Sequence, residues 1–136
     1  MPKVTVEQVP LGRSGLTTSS IGLGCVTFGR EIDRDTSFDL LDYALENGIN
    51  FLDTAEAYGG GNSQISRKQT YGVSDQREVT TEMHSSETII GRWLKKTGNR
   101  DHMIICTKCS TGNKPENIRE KFNASLERLQ VDYVDV

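Results

Sequence analysis

Two charged residues stand where apolar runs stop. Ile49-Asn50-Phe51-Leu52-Asp53 ends in a carboxylate, and His102-Met103-Ile104-Ile105-Cys106-Thr107 is followed at once by Lys108. Short apolar runs of this kind read as buried strands. If the two strands are parallel neighbours, their C-terminal ends face the same way about 4.8 Å apart. Asp53 and Lys108 then form a partly buried ion pair. Tyr58 lies just past Asp53, close enough for its loop to fold back over the pair. A free phenol has a pKa near 10 and is a poor acid at neutral pH. A neighbouring ammonium stabilises the phenolate and lowers that value, while Asp53 holds Lys108 in place and charged. The trio suits proton donation to an alkoxide as hydride reaches a carbonyl carbon. An ion pair at strand ends is also a common structural device, and a tyrosine in a glycine-rich loop is often merely exposed. Spacing alone leaves that alternative open.

Other reactive residues are weaker candidates. His84 lies in a polar stretch with no strand to position it, and His102 opens its strand at the end opposite the chemistry. Cys106 and Cys109 share a Cys-x-x-Cys spacing, but it straddles a strand end and has no second ligand pair, so no metal is expected. Gly22-Leu23-Gly24 with Asp53 downstream mimics a dinucleotide-binding fingerprint, yet Thr27 occupies the place of the third glycine and no helix opens there. Asn123-Ala124-Ser125 matches a glycosylation acceptor, but Ser125 falls on the expected inward face of a helix.

The elements that must position these residues alternate. Residues 4–9 and the segment after Gly12-Arg13-Ser14-Gly15 read as a hairpin, and residues 21–24 as a short strand. Asp33 or Asp35 caps a helix with Phe38, Leu41, Ala44 and Leu45 on its apolar face, stopped by Asn47-Gly48. Ser85 or Ser86 caps a second helix that buries Ile89, Ile90, Trp93 and Leu94. Asn113 and Glu116 resemble a capping pair for a third, with Pro115 in its first turn. Its inward stripe is Ile118, Phe122, Ser125, Leu126 and Leu129, and a fourth strand is expected from Tyr133. Strands alternating with helices predict a parallel sheet with right-handed crossovers. Residues 54–84 are too long for an ordinary connection; about 62–84 reads as an insertion.

Composition removes whole classes of function. With 136 residues, the chain is shorter than the about 250 that a closed (β/α)8 barrel needs. Sixteen Lys and Arg against 19 Asp and Glu give a net charge of -3 and no electrostatic case for nucleic acid. No apolar run is long enough to span a bilayer. The N-terminus lacks a secretory pattern, and three cysteines make no disulfide framework. A cytoplasmic location is expected, without membrane association.

Several motifs resemble those of one family. Asn47-Gly48-Ile49-Asn50-Phe51 followed by Asp53-Thr54-Ala55-Glu56-Ala57-Tyr58-Gly59 looks like the signature of the aldo-keto reductases. Gly12-Arg13-Ser14-Gly15-Leu16 and Gly22-Leu23-Gly24 are similar to their opening hairpin and first barrel strand. Ile104-Ile105-Cys106-Thr107-Lys108 resembles their lysine-bearing third strand. Ser125-Leu126-Glu127-Arg128-Leu129-Gln130-Val131-Asp132-Tyr133-Val134-Asp135 resembles the approach to their fourth. The resemblance implies residues 1–136 are the N-terminal half of a (β/α)8 barrel with a leading hairpin, its parallel sheet incomplete. It implies NADPH-dependent reduction of an aldehyde or ketone, with Tyr58 as acid, Lys108 tuning it and Asp53 paired to Lys108. Gly24, Cys25 and Val26, beside Asp53, would border the nicotinamide; cysteine at 25 replaces the family's usual threonine and would donate a weaker hydrogen bond.

The family's catalytic histidine, at the end of the fourth strand, would fall beyond Val136, as would most of the adenosine and phosphate site. The chain is therefore expected to be part of a longer enzyme that binds NADPH and a small carbonyl substrate, and inactive as these residues alone. The alternative is a non-catalytic short homologue acting as a binding or half-barrel assembly module, associating with itself through its open sheet edges.

Overall fold

The computed structural model describes residues 5–59, 83–110 and 112–136. The insertion expected at about 62–84 therefore lies almost wholly outside the described residues.

A two-stranded antiparallel hairpin opens the fold. β1 (Gln8–Pro10) pairs with β2 (Thr17–Ser19), Val9 opposite Thr18. The hairpin docks through Asn50, whose Oδ1 accepts from the Ser19 N–H at 2.7 Å, and through Gln8 Nε2, which donates to Gly48 O at 2.8 Å. Asn50 immediately precedes the strand Phe51–Asp53, so the hairpin sits at the N-terminal end of the central sheet.

That sheet has three parallel strands in the order β3 (Leu23–Gly24), β4 (Phe51–Asp53) and β5 (Ile104–Cys106). Its register aligns Gly24, Asp53 and Cys106 across the C-terminal edge. Strand alternation then sorts the side chains. Leu52 and Ile105 are fully buried towards the helices, whereas Phe51, Asp53, Ile104 and Cys106, on the opposite face, are only half-buried. The barrel is not closed. The expected fourth strand is not a ladder strand, but residues 135–136 run beside β5, with the Asp135 and Val136 N–H groups both donating to Ile105 O.

Among the described residues, three helices cover the buried face: α1 (Arg34–Glu46), α2 (Ser85–Thr97) and α3 (Pro115–Leu129). Leu41 of α1, Ile90 and Trp93 of α2 and Leu129 of α3 close over Leu52 and Ile105. Trp93 is fully buried except in its polarity: its indole N–H donates to Asp42 at 2.7 Å, tying α2 to α1. Asp33 caps α1 as expected, accepting from the Thr36 N–H at 2.8 Å.

The other two caps differ from expectation. The N-cap of α2 is His84 in the left-handed region, and α3 starts after Lys114, neither with a side-chain capping bond. Ser85 and Ser86 are the first residues of the helix, with hydroxyls spent on the loops above the sheet. The α3 stripe is narrower too: Ser125 and Leu129 are buried, while Ile118 and Phe122 are part-exposed.

Candidate active site

Asp53 is the last residue of β4, and Lys108 lies just beyond β5, so the parallel register brings both to one rim of the sheet. The ladder continues past the strand ends: the Thr54 N–H donates to Cys106 O at 2.9 Å and the Glu56 N–H to Lys108 O at 3.0 Å. This places the β4 loop alongside the β5 loop. Lys108 Nζ donates to Asp53 Oδ1, to Thr54 O at 2.8 Å and to the Tyr58 hydroxyl at 3.4 Å. It also lies 4.8 Å from the centre of the Tyr58 ring. The three residues that spacing nominated are therefore in contact.

The pair is more open than expected, with side chains 45% and 44% exposed for Lys108 and Asp53. The Lys108 ammonium nevertheless titrates above its ordinary value. Partial burial is the largest influence and pulls it down, but the bonds to Asp53 and Tyr58 together outweigh burial. Lys108 is thus a cation throughout the neutral range.

Of the other residues expected at the rim, Gly24 is exposed and Val26 half-buried. Among the described residues, nothing beyond its own chain neighbours lies within 4 Å of where a Cβ on Gly24 would stand. Cys25, expected beside a ligand, has its side chain turned inward. Its thiol is fully buried, points back to Leu23 O at 3.4 Å, and is pushed up to about 12, chiefly by burial and then by the Asp53 charge. Its N–H is spent on Asp53 O at 2.9 Å and its carbonyl accepts from Ser86 Oγ at 2.8 Å, so Cys25 belongs to the wall behind the rim.

Sequence reasoning missed the shell behind the trio. Thr54, Ser86 and Glu56 are all buried polar residues. The Thr54 and Ser86 hydroxyls share a hydrogen bond at 2.8 Å, and Ser85 Oγ donates to Phe28 O at 3.0 Å. These bonds join the loops after β3 and β4 to the first turn of α2. Glu87 is buried with them, paired with Arg128 at 2.6 Å and accepting from Thr107 Oγ1 at 2.5 Å. The available signal was the run Ser85-Ser86-Glu87 ahead of an apolar face, which reads equally as a helix start. His84 lies behind the Tyr58 loop, its Nδ1 2.5 Å from Glu56 O. His102 is exposed in a single 3-10 turn at Arg100–His102. Cys106 and Cys109 are free thiols, and no cluster able to hold a metal is found among the described residues. No described helix is long and apolar enough to cross a membrane.

Parallel strands joined through helices, with a lysine, a carboxylate and a tyrosine at their C-terminal rim, define an α/β chain of the barrel-forming class, and the chain is similar to solved aldo-keto reductases. A crystal structure of such a protein from Pseudomonas aeruginosa matches with a TM-score of 0.69 and 32% identity, over 93% of this chain and 43% of that one. The aldo-keto reductase AKR11C1 from Bacillus halodurans, in its holo form, matches with a TM-score of 0.66 and 28% identity, over 95% of this chain and 38% of its own.

The Aldo/keto reductase family model matches residues 20–136, and the chain belongs to that family. Curated relatives include Protein tas of Escherichia coli, 36% identical over 90% of this chain and 35% of its own length. The oxidoreductase YrpG of Bacillus subtilis is 33% identical over 96% of this chain and 39% of its own. The chain thus spans little more than a third of the length of these curated relatives.

Proposed function

We propose that this chain carries the proton-delivering part of an oxidoreductase site that converts an aldehyde or ketone to an alcohol. The observation that supports it is the two-way bond of Lys108, to Asp53 on one side and to the Tyr58 oxygen on the other. Because the Tyr58 oxygen accepts from the ammonium, its own O–H remains free to donate to a carbonyl oxygen at the rim. When hydride reaches the carbonyl carbon, the π pair moves onto oxygen, and the Tyr58 proton goes to that oxygen. The phenolate left behind faces the Lys108 cation and regains its proton from solvent. Asp53 keeps the ammonium aimed at Tyr58, so the charge that stabilises phenolate is in place before the reaction begins.

A reduced nicotinamide dinucleotide, NADPH by family resemblance, supplies the hydride when bound. The residues present fit such a group. The open space beside Gly24 admits a planar ring next to Asp53. Gly24 and Val26 would border it, with Cys25 contributing only through the backbone that it stiffens. The test is carbonyl-dependent NADPH consumption by the protein as its source cells make it, across a panel of aldehydes and ketones. Turnover with any of them is the expected result; NADPH binding without turnover on any carbonyl would overturn the assignment.

A further inference from the structure

Tyr58 and Lys108 stand on different loops, so their 3.4 Å separation depends on what holds the loops together. Glu56, two residues before Tyr58, is only 4% exposed, and all four of its polar groups are engaged. Its N–H donates to Lys108 O at 3.0 Å. Its carbonyl oxygen lies 2.5 Å from His84 Nδ1, which must donate because a carbonyl can only accept. Carboxylate Oε2 accepts from the Ser110 N–H at 3.1 Å, and Oε1 pairs with Lys121 Nζ of α3, also at 3.1 Å. One residue therefore ties the Tyr58 loop to the segment after Lys108, to the start of α2 and to α3.

A buried carboxylate is costly unless its oxygens are satisfied, and a merely structural loop residue at this place could be apolar. The carboxyl stays ionised. Burial opposes the charge, but the Ser110 N–H and Lys121 outweigh it and hold the group below the usual carboxylate range. Resting on the assignment of Tyr58 and Lys108 to proton delivery, the geometry points to Glu56 as a positioning residue that sets the Tyr58–Lys108 separation without itself touching substrate.

The test uses the protein as its source cells make it, carrying Glu56→Ala alone or with Tyr58→Phe. Two quantities are measured: kcat and KM for carbonyl reduction, and the through-space proton NMR contact between the Tyr58 ring and the Lys108 side chain. Misplacing a reacting group by an ångström can cost about a hundredfold, and a partial displacement is expected here. E56A should weaken the NMR contact and lower kcat about tenfold, with KM for NADPH unchanged. It should have no further effect once Tyr58 is phenylalanine, because a residue that acts through Tyr58 loses its effect with it. E56Q keeps an acceptor for Ser110 and should restore most of kcat.

An intact NMR contact in E56A, or an equal loss of kcat in both backgrounds, would overturn the assignment in favour of a general folding role. If Y58F itself keeps full turnover, the proton-donor reading fails, while the NMR contact still decides the role of Glu56. Should E56A not fold, K121M cuts the same tie from the surface of α3. Weakening of the contact in K121M then supports the assignment, and a contact like that of the unaltered protein overturns it.

Discussion

Lys108 is the residue on which the rim is organised, since it touches both the carboxylate of β4 and the phenol of the following loop. Replacing it with methionine keeps the length and removes the charge. The expected outcome is a kcat for carbonyl reduction lower by about a hundredfold or more, measured by steady-state kinetics, with the protein still folded because the pair is solvent-facing. Near-native kcat in K108M would mean that the cation is structural. The trio was legible in the sequence because each member sits at a boundary: Asp53 and Lys108 end apolar runs, and Tyr58 is within reach in the loop. Glu56 and Cys25 were not legible. Glu56 stands two residues before Tyr58 with nothing in the local pattern to mark it as buried, and only the folded chain shows it sealed beneath the rim. Cys25 reads as a residue facing the ligand, because its burial depends on how the loop after β3 turns back over α2.

The elements were visible from periodicity and both ends of α1 with them, but the starts of α2 and α3 were not. Trp93 and Leu94 could be assigned to the buried face from helical spacing, whereas the apolar runs at residues 49–53 and 102–107 marked buried strands without showing which face each residue takes. Ser85 and Ser86 have the residue type of a cap but serve loops that are distant in sequence, and no local pattern distinguishes the two uses. Ile118 and Phe122 follow the helical stripe of α3, yet remain part-exposed, which the spacing alone does not reveal. Close packing of α2 on α3 was equally hidden. A Cβ on Gly91 would overlap the backbone of Arg128 and Leu129, so Gly91→Ala is expected to destabilise the protein by about 1–3 kcal/mol, read as a lower midpoint of denaturant unfolding. The nearby Glu87–Arg128 pair carries a second prediction. Arg128→Ala leaves a fully buried carboxylate without its cation and should cost about 3–5 kcal/mol in the same measurement.

Among the described residues, the hairpin covers the N-terminal end of the sheet, the helices cover one face, and the rim with Asp53, Tyr58 and Lys108 stays open. This division concentrates satisfied buried charge behind the rim, and that has a pH consequence. Glu56 titrates lower in the folded protein than its ordinary 4.5, so its stabilising contribution is complete above that value and is lost as pH falls through the folded pKa. Acid unfolding should therefore be shallower in Glu56→Gln than in the unaltered protein, followed by circular dichroism from neutral pH downward; identical acid limbs would show that Glu56 is not held ionised. Family membership adds scale, since the curated relatives are more than twice as long as the matched stretch.

The central claim is that Tyr58 delivers the proton to a carbonyl. The most direct measurement compares carbonyl-dependent NADPH oxidation by the unaltered protein and by Tyr58→Phe, both as the source cells make them. The expected result is a loss of about a hundredfold or more in kcat, with NADPH affinity within about twofold of the original because the phenylalanine ring fills the same space. Retention of most of the turnover in Y58F would contradict it.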